Sequence, residues 1–185
     1  MKSGRRFIRL KNYDYAQPGA YFVTIYALDR ECLFGEVRGG KMALNELEEI
    51  VAESWQCLER QYEHVEIDER VVMPNHLHGI IVITDCRGGS RTAFARTAST
   101  GLDQPIRKPL GRLIGAFKTV STKRVNVIIN TLGAKLWQRN YYEHIIRNEN
   151  ELNRIRAYIA QNSAKWEFDR ENPSVRSVNQ ETAPR

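Results

Sequence analysis

Two apolar runs separated only by Pro74-Asn75 constrain this chain more than any other feature. Val65 to Met73 and His76 to Thr84 are rich in β-branched residues, and Pro74 cannot donate within a ladder, so the break falls at the proline. Two strands joined by so tight a turn fold back on each other as an antiparallel pair. Side chains along the second run alternate between faces, which puts His76 and His78 on the same face with Cα atoms about 7 Å apart. Two imidazoles at that spacing can hold one metal ion. The same pattern also reads as two surface or hydrogen-bonded histidines in a strand.

The rest of the chain supplies partners for this pair. Tyr21 to Leu28 is almost continuously apolar and follows the turn Gln17-Pro18-Gly19, as expected of a central strand. Leu33 to Val37 and Lys41 to Ala43 flank Gly39-Gly40 and suggest a hairpin. From Asn45, with Glu48 three residues on, apolar positions recur at helical spacing through Tyr62, predicting a first helix over roughly 45 to 62. Residues 85 to 108, rich in Gly, Ser, Thr and Arg, predict a flexible loop. Pro109 suits a helix start, and Leu110, Leu113, Ile114, Phe117 and Val120 form an apolar stripe with Arg112, Thr119 and Lys123 opposite, giving a second helix with a basic face. Asn148 and Glu151 repeat the capping spacing before a third helix over about 149 to 162. The polar tail from 167 to 185 is expected to be loose. This order predicts one α+β domain over 1–166, an antiparallel sheet with helices mainly on one face.

With 185 residues the chain can bury a core without disulfides or structural metals. Lys and Arg outnumber Asp and Glu by 28 to 22, giving +6 and a pI near 9.3, which suits a polyanionic partner without requiring one. Cys32, Cys57 and Cys86 form no CxxC pair and are odd in number, which points away from a zinc knuckle or a secreted disulfide framework and toward a reducing cytoplasm. No run approaches the roughly 20 apolar residues of a membrane span.

The third helix adds chemistry to the histidine pair. Tyr158 and Asn162 are four residues apart and share a face, with Arg154 one turn earlier. A phenolate stabilised by a nearby cation can attack phosphorus and keep the bond energy in a phosphotyrosine ester. A tyrosine packing its ring and exposing its hydroxyl is the commoner use. Tyr141 and Tyr142, beside Glu143 and His144, compete for the nucleophile role, although their block reads better as an edge strand or turn packing Trp137 under the third helix. His64 and His144 read as structural or surface residues.

Four segments together carry a resemblance: YDYAQPGAYFVTI at 13–25, VVMPNHLH at 71–78, WQRNYYEH at 137–144 and IRAYIAQN at 155–162. The chain resembles the REP-associated tyrosine transposases, of the IS200-like single-tyrosine group of His-hydrophobe-His endonucleases, in register across most of residues 5 to 166. The resemblance implies a ferredoxin-like sheet with a C-terminal helix carrying the catalytic tyrosine. It implies that His76, His78 and Asn162 bind Mg²⁺ or Mn²⁺ and that Tyr158 is the nucleophile. It also implies cleavage and rejoining of single-stranded DNA, with REP-type hairpins as substrates, through a covalent 5′-phosphotyrosine. Where the family motif continues as Asn-Pro, Ser163 follows here, leaving the third helix free to extend; Gln161 is an alternative ligand. Imidazole favours Mn²⁺ on affinity, while Mg²⁺ is the abundant ion.

Phosphate contacts are expected from the basic arm with Arg5, Arg6 and Arg9, from Arg112, Lys118, Lys123 and Arg124 on the second helix, and from Arg154 and Arg156 on the third, with Tyr13 or Tyr15 able to stack a base. Monomer and homodimer are both compatible. Two other readings stand beside the transposase: a domesticated, non-catalytic hairpin-binding protein, and a metal-dependent hydrolase of small phosphoesters.

Overall fold

The computed structural model describes residues 10, 12–85, 107–169 and 171–175. Arg5, Arg6, Arg9, Cys86 and nearly all of the 85–108 loop lie outside them.

Among the described residues, six strands and three α-helices follow in the order β1 (Gly19–Tyr26), β2 (Gly35–Arg38), β3 (Lys41–Leu44), α1 (Glu46–Gln61), β4 (Val65–Met73), β5 (His76–Ile83), α2 (Leu110–Ile128), β6 (Tyr142–Ile146) and α3 (Glu149–Ala160). One antiparallel sheet has the order β4-β5-β1-β6, and β2 and β3 form a separate hairpin. The fold is thus α+β, with the sheet at its centre.

Local signals explain most boundaries. Asn45 and Asn148 each accept a hydrogen bond from the backbone three residues on, at Glu48 and Glu151, so both capping sequences start their helices. Gly39 and Gly40 turn between β2 and β3 with φ of +56° and +71°, a backbone that L side chains resist. Pro74 and Asn75 alone link β4 to β5, pairing Met73 with His76.

The two faces of the sheet bury different sets. Tyr21, Val23 and Ile25 of β1 and Leu77, Ile81 and Ile83 of β5 pack under α1 and α2 in the larger core. Ala20, Phe22, Ile80, Val82 and Ile146 face the other way and pack against Leu152 and Ile159 of α3. β5 is buried along its whole length, so it is the strand on which both cores rest.

Three expectations change. The third helix ends at Ala160 rather than 162, and a 3₁₀ turn, Ser163–Phe168, carries the chain on. Trp137 does not lie under α3; it packs with Phe34 and Phe117 on the α1/α2 side. Over its described part the tail is not loose, because Glu171 pairs with Arg30 and its carbonyl accepts from the Asn75 side chain at 2.8 Å.

Candidate active site

Alternation along β5 sends His76, His78 and Ile80 to the α3 face, where both imidazoles are buried. Their Nε2 atoms approach to 3.0 Å. Behind them each Nδ1 has its own partner: Asn75 Oδ1 at 2.8 Å for His76 and Thr24 Oγ1 at 2.9 Å for His78. Asn75 donates its Nδ2 to the carbonyls of Arg30 and Glu171, so its Oδ1 is the accepting end and His76 carries its proton on Nδ1. The Nε2 lone pair of His76 therefore points at His78.

Burial, followed by the neighbouring His78 ring and Arg30, holds His76 well below the usual imidazole range, and burial pulls His78 down to about 3. Both rings are neutral near pH 7, the form that binds a cation.

The tyrosine arrives from α3. The Tyr158 hydroxyl lies 3.3 Å from His78 Nε2, although 80 residues separate the two in the chain. Its ring meets Phe22 edge-on, and Phe22 stacks on His78. Burial raises the Tyr158 phenol above its ordinary range, a hydrogen bond from Asn162 draws it back, and Asp169 adds to the rise.

Several contacts hold α3 in this position. Arg156 grips both Asp68 oxygens, at 2.8 and 2.5 Å, tying the helix to β4 where a bulge interrupts pairing between Ile67 and Arg70. At the other end Glu151 accepts from Arg147 N and meets His144 Nε2, each at 2.8 Å, joining α3 to β6.

Asn162 reaches the centre from beyond the helix end. It is buried, and its Oδ1 has no hydrogen-bond partner, whereas the neighbouring Gln161 is exposed. An orphaned buried carboxamide oxygen is costly unless something else, such as a cation, takes its lone pairs. Two nitrogens bound to one octahedral ion at about 2.1 Å stand about 3 Å apart, so the residues present fit such an ion. Among the described residues no three His, Cys, Asp or Glu side chains gather to hold a metal, and any ion here would rely on two imidazoles, the carboxamide and outside oxygens.

The other expected residues fall elsewhere. Arg112, Lys118 and Lys123 belong to α2, which covers the face opposite the histidines, so the fold does not bring them to this centre. Lys118 spends its ammonium on the carbonyls of Gln138, Arg139 and Asn140, and burial draws its pKa down to about 8. Arg124 pairs with Glu53 and Arg156 with Asp68. Arg154 does lie one turn before Tyr158 and is largely exposed. Tyr13 and Tyr15 pack against Tyr21 at the edge of the larger core, and Tyr141 joins that core with Lys118 over its ring. His64 is buried and accepts from Lys108 N.

Sequence reasoning missed Thr24, Asn75 and Arg30. Asn75 had a signal, as the residue before His76 in a two-residue turn; Thr24 and Arg30 come from distant segments and had none. No helix among the described residues is long and apolar enough to cross a membrane.

No family model matches the chain. A Haemophilus influenzae protein described as uncharacterized is 40% identical over 166 residues, covering 89% of this chain and 91% of its own. Among solved structures, a REP-associated tyrosine transposase bound to a REP hairpin superposes with a TM-score of 0.56 at 18% identity, over 95% of this chain and 88% of that one. The chain therefore belongs to one family with the Haemophilus influenzae protein and shares the fold of the REP-associated tyrosine transposase.

Proposed function

We propose that this protein is a metal-dependent single-strand DNA endonuclease and transposase that cleaves and rejoins DNA through Tyr158, with REP-type hairpins as its substrates. The observation that carries this reading is the convergence in one chain of the Tyr158 hydroxyl, two neutral imidazoles with facing Nε2 atoms and the orphaned Asn162 oxygen. The order strand, helix, strand, strand, helix, strand around β4-β5-β1-β6 reads as a ferredoxin-like core, with α3 added on the second face.

His76, His78 and Asn162 would hold Mg²⁺ or Mn²⁺, which when bound polarises a scissile phosphate as a Lewis acid. The chain's own residues do the rest. Asn75 and Thr24 aim the two rings, and Arg156 fixes α3 so that the phenol faces the phosphate. The Tyr158 oxygen gives up its proton to solvent, which returns one to the departing 3′ oxygen, and attacks phosphorus. The bond to the 3′ oxygen breaks, that oxygen leaves as a 3′-hydroxyl, and the DNA 5′-phosphate stays on Tyr158 as an ester. Attack by a 3′-hydroxyl on the ester reverses the step and rejoins the strand. Because Tyr158 meets His78 of its own chain, one protomer can carry a complete centre, which favours a monomer over an exchanged dimer.

The test is incubation of the full chain with single-stranded hairpin DNA and Mn²⁺, followed by mass spectrometry of the tyrosine carrying nucleotide. The adduct is expected on Tyr158 and absent from Tyr158→Phe, which should still bind the hairpin. An adduct on Tyr141 or Tyr142, or one that survives in Tyr158→Phe, overturns the assignment. A native chain that binds hairpins but never forms an adduct is the domesticated binding protein instead.

A further inference from the structure

The exposed aromatic residues of this protein are not scattered. Among the described residues only Tyr142, Tyr158 and Phe168 are both aromatic and exposed, at 44%, 42% and 83%, and all three belong to elements that bound the histidine centre. Scattered single apolar residues on a surface need no explanation, but large rings collected around one centre do.

Tyr142 stands on β6. It pairs with Thr24, whose partner on the other flank is His78, so the three share one row and one face of the sheet. Strand spacing puts the Tyr142 Cα about 10 Å from that of His78. Its ring meets Phe22 edge-on at 6.4 Å, and Phe22 in turn stacks on His78 at 5.4 Å, so the tyrosine is braced from within the site while its outer surface faces solvent. Phe168 belongs to another element that meets the histidines, at the end of the 3₁₀ turn that begins after Asn162. Two residues before it, Trp166 lies over His76 at 6.0 Å.

We propose that Tyr142 and Phe168 are stacking platforms for unpaired DNA bases beside the centre formed by His76, His78 and Tyr158. This rests on the nuclease reading above and assigns it a path for the strand, from β6 across Tyr158 to the turn after α3. Stacking on aromatic rings holds any base by its π-face, so it positions a strand with little regard to sequence, while cations take the phosphates. Arg154, one turn from Tyr158, is 78% exposed and meets Glu151 only at 3.7 Å, which leaves its guanidinium placed for the second task. The role expected of Tyr13 and Tyr15 thus passes to Tyr142 and Phe168, because the former pair is packed against Tyr21.

The experiment measures binding of a labelled, unpaired thymine-rich oligonucleotide to the full chain by fluorescence anisotropy without added metal, with a blunt hairpin lacking unpaired flanks as control. Tyr142→Leu and Phe168→Leu should each weaken oligonucleotide binding by about ten-fold, the loss of one base stack. Tyr142→Phe and Phe168→Trp should bind as the native chain does, and all four should keep the native affinity for the blunt hairpin and the native melting temperature. Leu variants that hold the oligonucleotide as tightly as the native chain overturn the platforms, as does an equal loss on the blunt hairpin. A native chain that binds no unpaired DNA overturns the platforms and the nuclease reading together. Leu variants that lose binding in a protein whose Tyr158 never captures DNA support the platforms and overturn only the cleavage.

Discussion

The two faces of the central sheet are made from alternate residues of the same strands, yet they do opposite things. On one, Tyr21, Val23, Ile25, Leu77 and Ile81 lie under two long helices among Trp55, Phe117 and Trp137. On the other, Thr24, His76 and His78 share the surface with a small apolar set under the single short helix α3. The difference teaches where this fold gets its stability. A thick apolar face lets the thin one bury two imidazoles, the Thr24 hydroxyl and the Asn162 carboxamide, groups whose desolvation costs free energy unless they are paired. Gly79 directly follows His78 and faces the thick side, where a Cβ would come within 2.6 Å of the Trp55 ring. The missing side chain lets the indole lie against the strand directly behind the site.

The sharpest way to break the contrast is from the thick side. Trp55→Ala should cost about 3–5 kcal/mol, and Gly79→Ala about 1–3 kcal/mol through overpacking, both read as lower urea midpoints. Adduct formation by the molecules that remain folded should be close to native. A Gly79→Ala chain that is as stable as the native one would show that Trp55 moves freely, and the rigid backing of the histidines would be wrong.

From the thin side the pattern inverts. Arg156→Met keeps the aliphatic stem but removes the grip on Asp68, so α3 can shift relative to His78. The partly exposed pair contributes roughly 1 kcal/mol or less to stability, whereas misplacing a nucleophile by about 1 Å costs on the order of 100-fold. Adduct formation on hairpin DNA should fall by about 10- to 100-fold with a small change in melting temperature. Equal losses in rate and stability would make Arg156 an ordinary surface pair.

A last effect is a pH dependence carried by the thin face. His78 is held to about 3 by burial, against about 6.5 in the unfolded chain. Below about 6.5 the unfolded state binds the extra proton, so this stabilisation is complete above that pH and is lost as pH falls toward 3. Melting temperatures measured with chelator between pH 7 and 4 should fall less steeply for His78→Gln than for the native chain. Parallel slopes would mean the buried histidine does not contribute.

Much of this was legible because it is local. The turn at Pro74-Asn75, the caps at Asn45 and Asn148, the Gly39-Gly40 hairpin and the shared face of His76 and His78 all follow from residue types at fixed spacing, where the strand period of two and the helix period of 3.6 leave little choice. Tyr158 was legible as one candidate among several tyrosines, and Asn162 as one of two adjacent amides. The basic stripe of α2 was equally clear as a stripe, but nothing local says which side of a sheet a helix will cover.

That choice belonged to the tertiary structure. Amphipathic spacing determines that a helix has a buried face, and the pleat determines that alternate strand residues oppose each other. Which helix meets which face depends on how the crossovers pack and on contacts such as Arg156 with Asp68, 88 residues apart. Only the folded chain puts α3 rather than α2 over the histidines. Only there does ending α3 at Ala160 turn Asn162 inward and leave Gln161 outside. The sequence alone determined a pair of imidazoles on one face, and long-range packing decided that a tyrosine and an amide would join them.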